Sequence, residues 1–286
     1  MLKEWIEARD GVKLHAREWP RDPAIGTILI VHGLGEHIGR YEHTAAFLNQ
    51  HGWRVAGYDH RGHGASGGKR GRLGHVDDLL IDLALVVDSL RSGTTGLLVL
   101  LGHSMGGGVA ARFVAGAFDA AAPWSRPVDG LVLSSPALDA GMSANQQTLL
   151  ALLGPTLPHL ALGNGVDPDR ICRDPAVVAA YRADPLVHDR ITPRLARAIV
   201  DAGARAIEAA PRWVVPTLLL YGGADRCVDP KGSVTFAARA PKNVVEAHCF
   251  PAMFHEIFNE PEKAEVLSVL GAWLDKLRIL STRSSP

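Results

Sequence analysis

The chain has 286 residues, 47% of them hydrophobic, and its 30 basic and 30 acidic residues cancel to a formal net charge of zero. This length and apolar content suffice for one large α/β domain or two small ones with a sizeable core. A neutral chain without a basic block lacks the electrostatic footprint of a nucleic-acid-binding protein. We therefore expect a small, weakly charged partner and no nucleic acid.

The cysteines and the N-terminal residues restrict the cellular setting. Cys172, Cys227 and Cys249 are odd in number and widely spaced, which argues against a disulfide framework and against a zinc site built from C-x-x-C pairs. The first residues carry charges where a signal peptide needs an apolar stretch, and no apolar run approaches the ~18 residues of a membrane span. We therefore expect a cytoplasmic protein in a reducing compartment.

Apolar runs typical of strands alternate with amphipathic segments along most of the chain. Residues 3–8 and 13–19 alternate polar and apolar side chains around Asp10-Gly11, which predicts an antiparallel hairpin at a sheet edge. Further strands are predicted at residues 27–31, 53–58, 97–101, 130–136, 217–221 and 243–250. Helices are predicted at residues 40–50, 75–91, 109–114, 230–240 and 260–280. The alternation predicts an eight-stranded, mostly parallel sheet with helices on both faces.

Residues 137–212 interrupt this rhythm, because they contain seven prolines and no strong strand pattern. Their leucine- and alanine-rich sequence predicts helices, most clearly at residues 146–153 and 193–209. An insertion of this length between strands must lie outside the sheet. We therefore expect a core formed by residues 1–136 and 213–286, with residues 137–212 inserted as a helical cap; ordinary helical packing is the alternative.

Residues 102–106 read Gly-His-Ser-Met-Gly and follow a predicted strand directly. They fit the G-x-S-x-G nucleophile elbow, in which small residues flank a serine held on a sharp turn between a strand and a helix. Ser104 is therefore the candidate nucleophile. A pattern fixed at three positions also arises by chance in a glycine-rich region, so the remaining chain must support it.

Ser104, Asp225 and His255 each follow a predicted strand, and such loops share one rim of a doubly wound sheet. Their order along the chain is that of the α/β-hydrolases. A serine hydroxyl needs a base to take its proton, imidazole suits that role near neutral pH, and a buried carboxylate holds the imidazole in the correct tautomer. These three residues are the predicted catalytic triad.

The triad assignment requires a choice among 13 histidines and two nearby aspartates. His103 lies inside the elbow and is expected to point elsewhere, and His248 lies inside a strand, where we expect it to pack; His255 lies in the loop after the last strand. Asp229 precedes Pro230 at a helix start and reads as an N-cap, which favours Asp225 as the acid.

Acyl transfer also needs hydrogen-bond donors for the developing oxyanion. The backbone N–H groups of Met105 and Leu34 are the candidates. Gly33 and Gly35 would let the chain approach a substrate closely, although a merely tight turn would need glycines as well.

A metal or phosphate site is the competing interpretation of the first quarter of the chain. That part is crowded with possible ligands, namely His32, His37, His43, Asp59, His60, His63 and His75. Their spacing shows no H-E-x-x-H or other zinc pattern, and residues 62–68 lack the G-K-[ST] ending of a phosphate-binding loop. We expect no metal and no cofactor, with His60 and His63 packing within their loop.

Several separated motifs together resemble the monoacylglycerol lipase and lysophospholipase group of α/β-hydrolases, of the serine aminopeptidase S33 type. They lie at residues 32–37 with 40–41, 58–66, 102–107, 184–186 and 223–226. The resemblance covers almost the whole chain and implies a carboxylic ester hydrolase with an apolar acyl tunnel under the cap. Phe254 precedes His255 where relatives commonly have tyrosine, and the cap sequence diverges. These two departures bear on which lipid is the substrate and leave the expected reaction chemistry unchanged.

The apolar cap favours an ester with a medium or long acyl chain, since each buried methylene contributes ~0.8 kcal/mol. Monoacylglycerol is the first expected substrate, with possible transient contact between the cap and a membrane or micelle. Candidate acyl-chain contacts are Leu149, Leu153, Leu160 and Leu186. A lysophospholipase, a broad carboxylesterase and an acyltransferase would use the same triad. A non-catalytic ligand-binding protein of this fold would lack a triad member, and all three are present.

Overall fold

An eight-stranded sheet forms the centre of the computed structural model, which describes residues 2–93, 96–119 and 122–283. Its strands are β1 (Trp5–Glu7), β2 (Lys13–Trp19), β3 (Gly26–Val31), β4 (Arg54–Tyr58), β5 (Leu97–His103), β6 (Gly130–Ser134), β9 (Thr217–Gly222) and β10 (Val245–Phe250). A short antiparallel pair outside this sheet comprises β7 (Leu162–Gly163) and β8 (Arg190–Ile191).

The strand order in the large sheet is β1-β2-β4-β3-β5-β6-β9-β10. The pairings of β1 with β2 and of β2 with β4 are antiparallel, and all others are parallel. The predicted eight-stranded, mostly parallel sheet is therefore confirmed. Gly11 joins β1 to β2 with a φ of +82°, as the Asp10-Gly11 pair predicts.

Helices cover both faces of the sheet. They are α1 (Glu42–Gln50), α2 (Asp78–Arg91), α3 (Met105–Ala115), α4 (Ala144–Thr156), α5 (Pro175–Ala183), α6 (Pro193–Ala209), α7 (Pro230–Arg239) and α8 (Lys263–Arg283). Alternate residues of β3 point to opposite faces: Leu29 and Val31 lie in one core with α2, α3, α6 and α7, and Ile28 and Ile30 in the other with α1 and α8. Burial on both faces explains the continuous apolar runs of the central strands.

Helix α2 differs from its sequence-based interpretation at its acidic residues. Acidic residues near a helix start usually interact with the helix dipole, yet Asp82, in the second turn of α2, is fully buried. Its two carboxylate oxygens accept hydrogen bonds from Nε and Nη2 of Arg61, at 2.6 and 2.7 Å. Asp78 lies 3.1 Å from the same guanidinium. Two acidic side chains on the helix therefore hold the loop that follows β4.

Residues 137–212 contain α4, β7, α5, β8 and α6. Helix α6 spans the predicted residues 193–209 and buries Leu195 and Ile199 in the same core as α3. Helix α4 extends the predicted 146–153 by two to three residues at each end, begins with a capping box between Ser143 and Gln146, and has no buried residue. No helix in the described ranges is long and apolar enough to cross a membrane.

Candidate active site

Ser104 lies at the junction of β5 and α3 and adopts a strained backbone conformation. Its φ of 53° and ψ of −121° are unusual for a residue with a Cβ atom. The turn is held by the backbone: the Ser104 N–H donates to the Ser134 carbonyl at 3.0 Å, and the Ser104 carbonyl accepts from Gly108 and Ala137. The serine side chain is thereby placed at the carboxyl end of the central strand.

The glycines around Ser104 allow close packing of backbones, whereas the sequence motif suggests that they allow the sharp turn itself. Gly102 and Gly106 do not adopt positive φ angles; the strain is carried by Ser104 itself. A Cβ atom at Gly106 would collide with the carbonyl oxygens of Val31 and His32, and one at Gly102 would collide with the backbone of Gly106. Glycine is required here because α3 packs directly against the ends of the neighbouring backbones.

The structure brings Ser104, His255 and Asp225 into one hydrogen-bonded relay. His255 Nδ1 lies 2.7 Å from Oδ2 of Asp225, and His255 Nε2 lies 2.8 Å from Oγ of Ser104. Oδ1 of Asp225 accepts from the N–H groups of Cys227 and Val228, at 2.8 and 3.2 Å. These bonds orient the carboxylate so that Nδ1 carries the proton and Nε2 accepts from the serine hydroxyl.

Electrostatics favour this arrangement of charge. Burial lowers the pKa of His255, but the charge and hydrogen bond of Asp225, with smaller contributions from Glu256 and Glu36, raise it by more, so the pKa lies above its ordinary value. Burial acts to raise the pKa of Asp225, yet His255 and two backbone N–H groups lower it overall. Asp225 therefore stays ionised beside a histidine with increased proton affinity.

The competing residues occupy other positions. Asp229 caps α7, where its side chain accepts from the Lys231 N–H. His103 does not point away from the site: its ring centre lies 4.8 Å from that of His255, and burial together with the charge of His255 lowers its pKa to about 4. His248 is half-exposed on the edge strand β10 and pairs with Glu246, so the expectation that it packs in the interior is wrong.

The loop after β3, residues 32–37, lies against the nucleophile and is called the oxyanion loop below. A Cβ atom at Gly33 would lie 3.1 Å from the Cβ of Ser104. Within the described ranges, neither the Leu34 N–H nor the Met105 N–H has an acceptor. Both residues line the cavity above Ser104. These are the properties expected of oxyanion-hole donors.

Residues 171–188, called the anchored segment, are tied to the loop that carries His255. The Glu256 N–H donates to the Ile171 carbonyl at 2.7 Å. Arg173 forms hydrogen bonds to the buried Glu260 through its backbone N–H and its side chain. The anchored segment therefore helps to fix the loop that follows His255.

The same segment is tied to the oxyanion loop. His37 Nε2 lies 2.8 Å from Oδ2 of Asp184, and the His188 N–H donates to the Gly35 carbonyl at 2.9 Å. Gly35 has a φ of +78°, and a Cβ atom there would collide with the His188 carbonyl. Gly35 is thus explained by both a left-handed turn and close approach to the anchored segment, whereas Gly33 is explained by its contact with Ser104.

Sequence reasoning missed a group of charged residues between these loops. Glu36 and Glu256 are almost fully buried, and the guanidinium of Arg40 is bonded to both. Glu36 and Arg40 lie in the motifs that resemble the lipase group, and Glu256 is adjacent to His255. The sequence does show a charged residue, Glu256, directly after the predicted catalytic histidine. It does not show that Glu256 pairs with Arg40, 216 residues away in the chain, because that contact depends on the tertiary structure.

A cavity of about 430 Å³ opens above the relay and is lined by Ser104 and His255 at its base. Its volume lies in the range of about 300–1,000 Å³ usual for small-molecule sites. Much of its wall is apolar and comes from residues 141–200, including Leu149, Leu150, Leu153, Leu162, Ile171, Ile199 and Val200. The arrangement can therefore hold an apolar chain next to an activated serine.

Two of the four predicted leucine contacts lie on this cavity and two do not. Leu149 and Leu153 line it, as consecutive turns of α4 face the site. Leu160 is exposed in the segment after α4, and Leu186 is half-buried in the anchored segment; neither lines the cavity. Leucine content alone could not separate these positions, because it does not show which face each residue presents.

Among the described residues, one group has the spacing of metal ligands: donor atoms of Asp225, Cys227 and His255 lie within 4.8 Å of one another. Asp225 and His255 already bond to each other. Burial and the Asp225 carboxylate raise the pKa of the Cys227 thiol well above its ordinary value, which disfavours the thiolate that a metal requires. The histidines of the first quarter form no such group, and His60 and His63 pack against His32.

A Ser–His–Asp relay on a strand-to-helix elbow of a mostly parallel, helix-covered sheet defines an α/β-hydrolase. Residues 22–262 match the family model described as serine aminopeptidase, S33. The chain therefore belongs to the serine aminopeptidase S33 family and is a carboxylic ester hydrolase, and the resemblance inferred from its motifs is confirmed.

Individual relatives extend over nearly the whole chain. It is 35% identical over 269 residues to a monoacylglycerol lipase of Mycolicibacterium smegmatis, covering 92% of this chain and 93% of that protein. It is 33% identical to the monoglyceride lipase of Homo sapiens, over 97% of this chain and 91% of the human one. The crystal structure of Paleococcus ferrophilus monoacylglycerol lipase aligns with a TM-score of 0.82 and 34% identity, covering 92% of this chain and 99% of the other.

The raised pKa of His255 predicts the pH dependence of the reaction. Only neutral His255 can accept the serine proton, so activity should be lost as the pH falls through a pKa above the ordinary value of about 6.5. We expect kcat/KM for a water-soluble ester to fall about ten-fold per pH unit below that point. Circular dichroism over the same pH range is the control for unfolding, and a flat profile down to pH ~5 would contradict the assignment.

Proposed function

We propose that the protein hydrolyses the ester bond of monoacylglycerols through an acyl-enzyme on Ser104. The observation that carries this proposal is the hydrogen-bonded relay at the base of a largely apolar cavity. Several relatives that match most of the chain, at 32–35% identity, are named monoacylglycerol or monoglyceride lipases, which supports a glycerol monoester as the first substrate.

In the first half-reaction, Ser104 Oγ attacks the ester carbonyl while His255 Nε2 takes its proton. The Leu34 and Met105 N–H groups stabilise the charge that develops on the carbonyl oxygen. His255 then gives the proton to the leaving glycerol oxygen as the carbon–oxygen bond breaks. Asp225 holds the tautomer and stabilises the imidazolium.

In the second half-reaction, water attacks the acyl-enzyme carbonyl and His255 takes the water proton. Collapse of the second tetrahedral intermediate returns the proton to Ser104 and releases the fatty acid. Every catalytic group in these reaction steps is a side chain or backbone N–H of the chain itself, so the proposed reaction needs no cofactor.

The cavity supports selection of an acyl chain. Leu149, Leu153 and Ile199 are among the residues that line it, and burial of each methylene against such a wall contributes about 0.8 kcal/mol. We propose that the acyl chain occupies this apolar space.

We also propose that residues 137–212 act as the cap and that part of it contacts lipid surfaces. Residues 141–165, called the lid segment, contain no Asp, Glu, Lys or Arg. The segment exposes four large apolar side chains, namely Leu149, Leu152, Leu157 and Leu160. An exposed apolar patch of this kind is typical of an interaction site. Insoluble monoesters reside in membranes and micelles, so transient contact there would deliver substrate to the cavity.

Replacement of the nucleophile tests the reaction directly. We expect Ser104→Ala to lower monoacylglycerol hydrolysis by at least about 10³-fold and to abolish labelling by a fluorophosphonate probe. Ser125→Ala is the control, since the hydroxyl of this serine donates to the Phe113 carbonyl at the far end of α3. Full hydrolysis by Ser104→Ala would overturn the mechanism.

The substrate class is tested with the unmodified enzyme. Monoacylglycerols of graded chain length and matched lysophospholipids are compared by kcat/KM, with glycerol or another alcohol as competing acceptor. We expect monoacylglycerols to be preferred and free fatty acid to be the main product. A preference for lysophospholipid would indicate a lysophospholipase, and an ester product would indicate an acyltransferase.

A neighbouring pair of leucines on α4 tests the acyl site. Leu153→Trp should fill part of the cavity and lower kcat/KM for long-chain monoacylglycerols roughly 10- to 60-fold, with little effect on short chains, as two or three methylenes lose their contacts. Leu152 is 65% exposed and does not line the cavity, so Leu152→Trp is the matched control. Equal effects on all chain lengths would contradict the assignment.

The same exposed position tests the lid contact. Leu152→Glu should weaken binding to phosphatidylcholine vesicles that contain monoacylglycerol by roughly ten-fold, because a charge replaces an apolar side chain at the contact. Hydrolysis of a water-soluble short ester should not change. Val234→Glu on α7, at 51% exposure, is the control outside the lid segment. Vesicle binding unaffected by Leu152→Glu would exclude this surface.

A further inference from the structure

One guanidinium lies between the two loops on which the proposed reaction depends. Arg40 Nη1 lies 2.8 Å from Oε2 of Glu36 and 2.6 Å from Oε1 of Glu256. Its Nη2 lies 2.8 Å from Oε2 of Glu256, which makes that contact bidentate. Both carboxylates are at most 6% exposed, so these bonds are not weakened by competition with water.

Glu36 connects the guanidinium to the oxyanion loop. Its Oε1 accepts from the Gly33 N–H at 2.6 Å and from the Tyr41 hydroxyl at 2.7 Å. Gly33 directly precedes Leu34, the proposed oxyanion donor. Glu36 therefore fixes the His32–Gly33 peptide, which directly precedes the peptide that carries the Leu34 N–H.

Glu256 connects the guanidinium to the triad histidine. It follows His255 directly in the chain, and its Oε2 also accepts from the Asn259 side chain at 2.7 Å. A single cation thus bridges two elements whose relative position sets the distance between the base and the oxyanion donors.

The anchored segment covers this cation. The Arg40 guanidinium carbon lies 4.8 Å from the ring centre of Tyr181 on α5, within the range of a cation–π contact. Tyr181 is itself buried, in the small core of the anchored segment. The arginine is therefore enclosed by the oxyanion loop, the histidine loop and α5.

We propose that Arg40 is a positioning residue for the hydrolysis: its guanidinium holds the oxyanion loop at a fixed distance from His255 and balances two of the carboxylates that surround the imidazole. This inference rests on the proposed function of Ser104. It adds an electrostatic role that a purely structural contact would not have.

The charged and titratable groups around His255 come from four elements. They are Asp225 and Cys227 after β9, His103 at the end of β5, Glu36 in the oxyanion loop and Glu256 beside the imidazole. Three of these are carboxylates, and each favours the protonated imidazole. Arg40 opposes the effect of two of them.

Two substitutions should therefore shift the acid limb of the kcat/KM profile in opposite directions. Arg40→Gln leaves Glu36 and Glu256 without their cation and should move the limb to higher pH, by about half a unit or more. Glu256→Gln removes one of the carboxylates and should move it to lower pH. Loss of the bidentate contact should also lower kcat of both variants roughly ten- to a hundred-fold on a soluble ester, since small misplacements of catalytic groups are costly.

Two further variants separate geometry from charge. Arg40→Lys keeps the positive charge without the planar fork, so it should lower kcat while leaving the acid limb near its wild-type position. Arg126→Gln removes an arginine that pairs with Asp88 on the surface and should change neither quantity. Each variant is checked for folding by thermal melting and for site integrity by fluorophosphonate labelling.

An acid limb that stays in place in Arg40→Gln, or a kcat within two-fold of wild type, would overturn the inference. If Arg40→Gln does not fold, Glu256→Gln provides the test instead. An acid limb that does not move to lower pH in Glu256→Gln would also overturn the inference. Wild-type enzyme that is active and labelled on Ser104 separates these outcomes from failure of the proposed function, which would appear as hydrolysis that survives Ser104→Ala.

Discussion

The site depends on the close approach of α3 to the ends of the central strands. Since β5 lies between β3 and β6, a helix that begins immediately after β5 must pass over the carbonyl groups of Val31 and His32, where only glycine fits at position 106. With α3 in this position, Ser104 adopts a φ of 53°, and its hydroxyl faces the rim shared by the loops after β9 and β10. The relay then requires only that those loops supply a carboxylate and an imidazole.

The region between β6 and β9 combines two functions with opposite physical requirements. The anchored segment is bonded to both catalytic loops and has a small core of its own around Ile171 and Tyr181. The lid segment is free of charged residues, and its helix α4 has no buried side chain. A segment with few buried contacts opens more easily than one with many. The architecture thus separates the anchored segment, which is bonded to the loops around Ser104 and His255, from the lid segment, which we propose as the contact with lipid surfaces.

Buried ion pairs fix the loops that the sheet leaves unsupported. Asp82 binds Arg61 behind the loop after β4, and Arg40 binds Glu36 and Glu256 beside the relay. Loss of one partner of a buried pair leaves an uncompensated charge, which costs about 3–5 kcal/mol. Such pairs therefore disfavour alternative loop positions. This suits the oxyanion loop and the loop of His255, which in the proposed reaction act on the same ester group.

The sequence by itself determined the strands of the large sheet and most helices in their order along the chain, the limits of α6 and the three residues of the relay, because these depend on local periodicity, turn chemistry and the order of motifs. It did not indicate α5, β7 or β8. Only the tertiary structure decided which side chains meet. It placed Leu149 and Leu153 on the cavity but not Leu160 or Leu186, brought His103 against His255, and paired Arg40 with Glu256 across 216 residues. Contacts between distant segments depend on how the elements pack, and neither hydrophobic pattern nor charge records that packing.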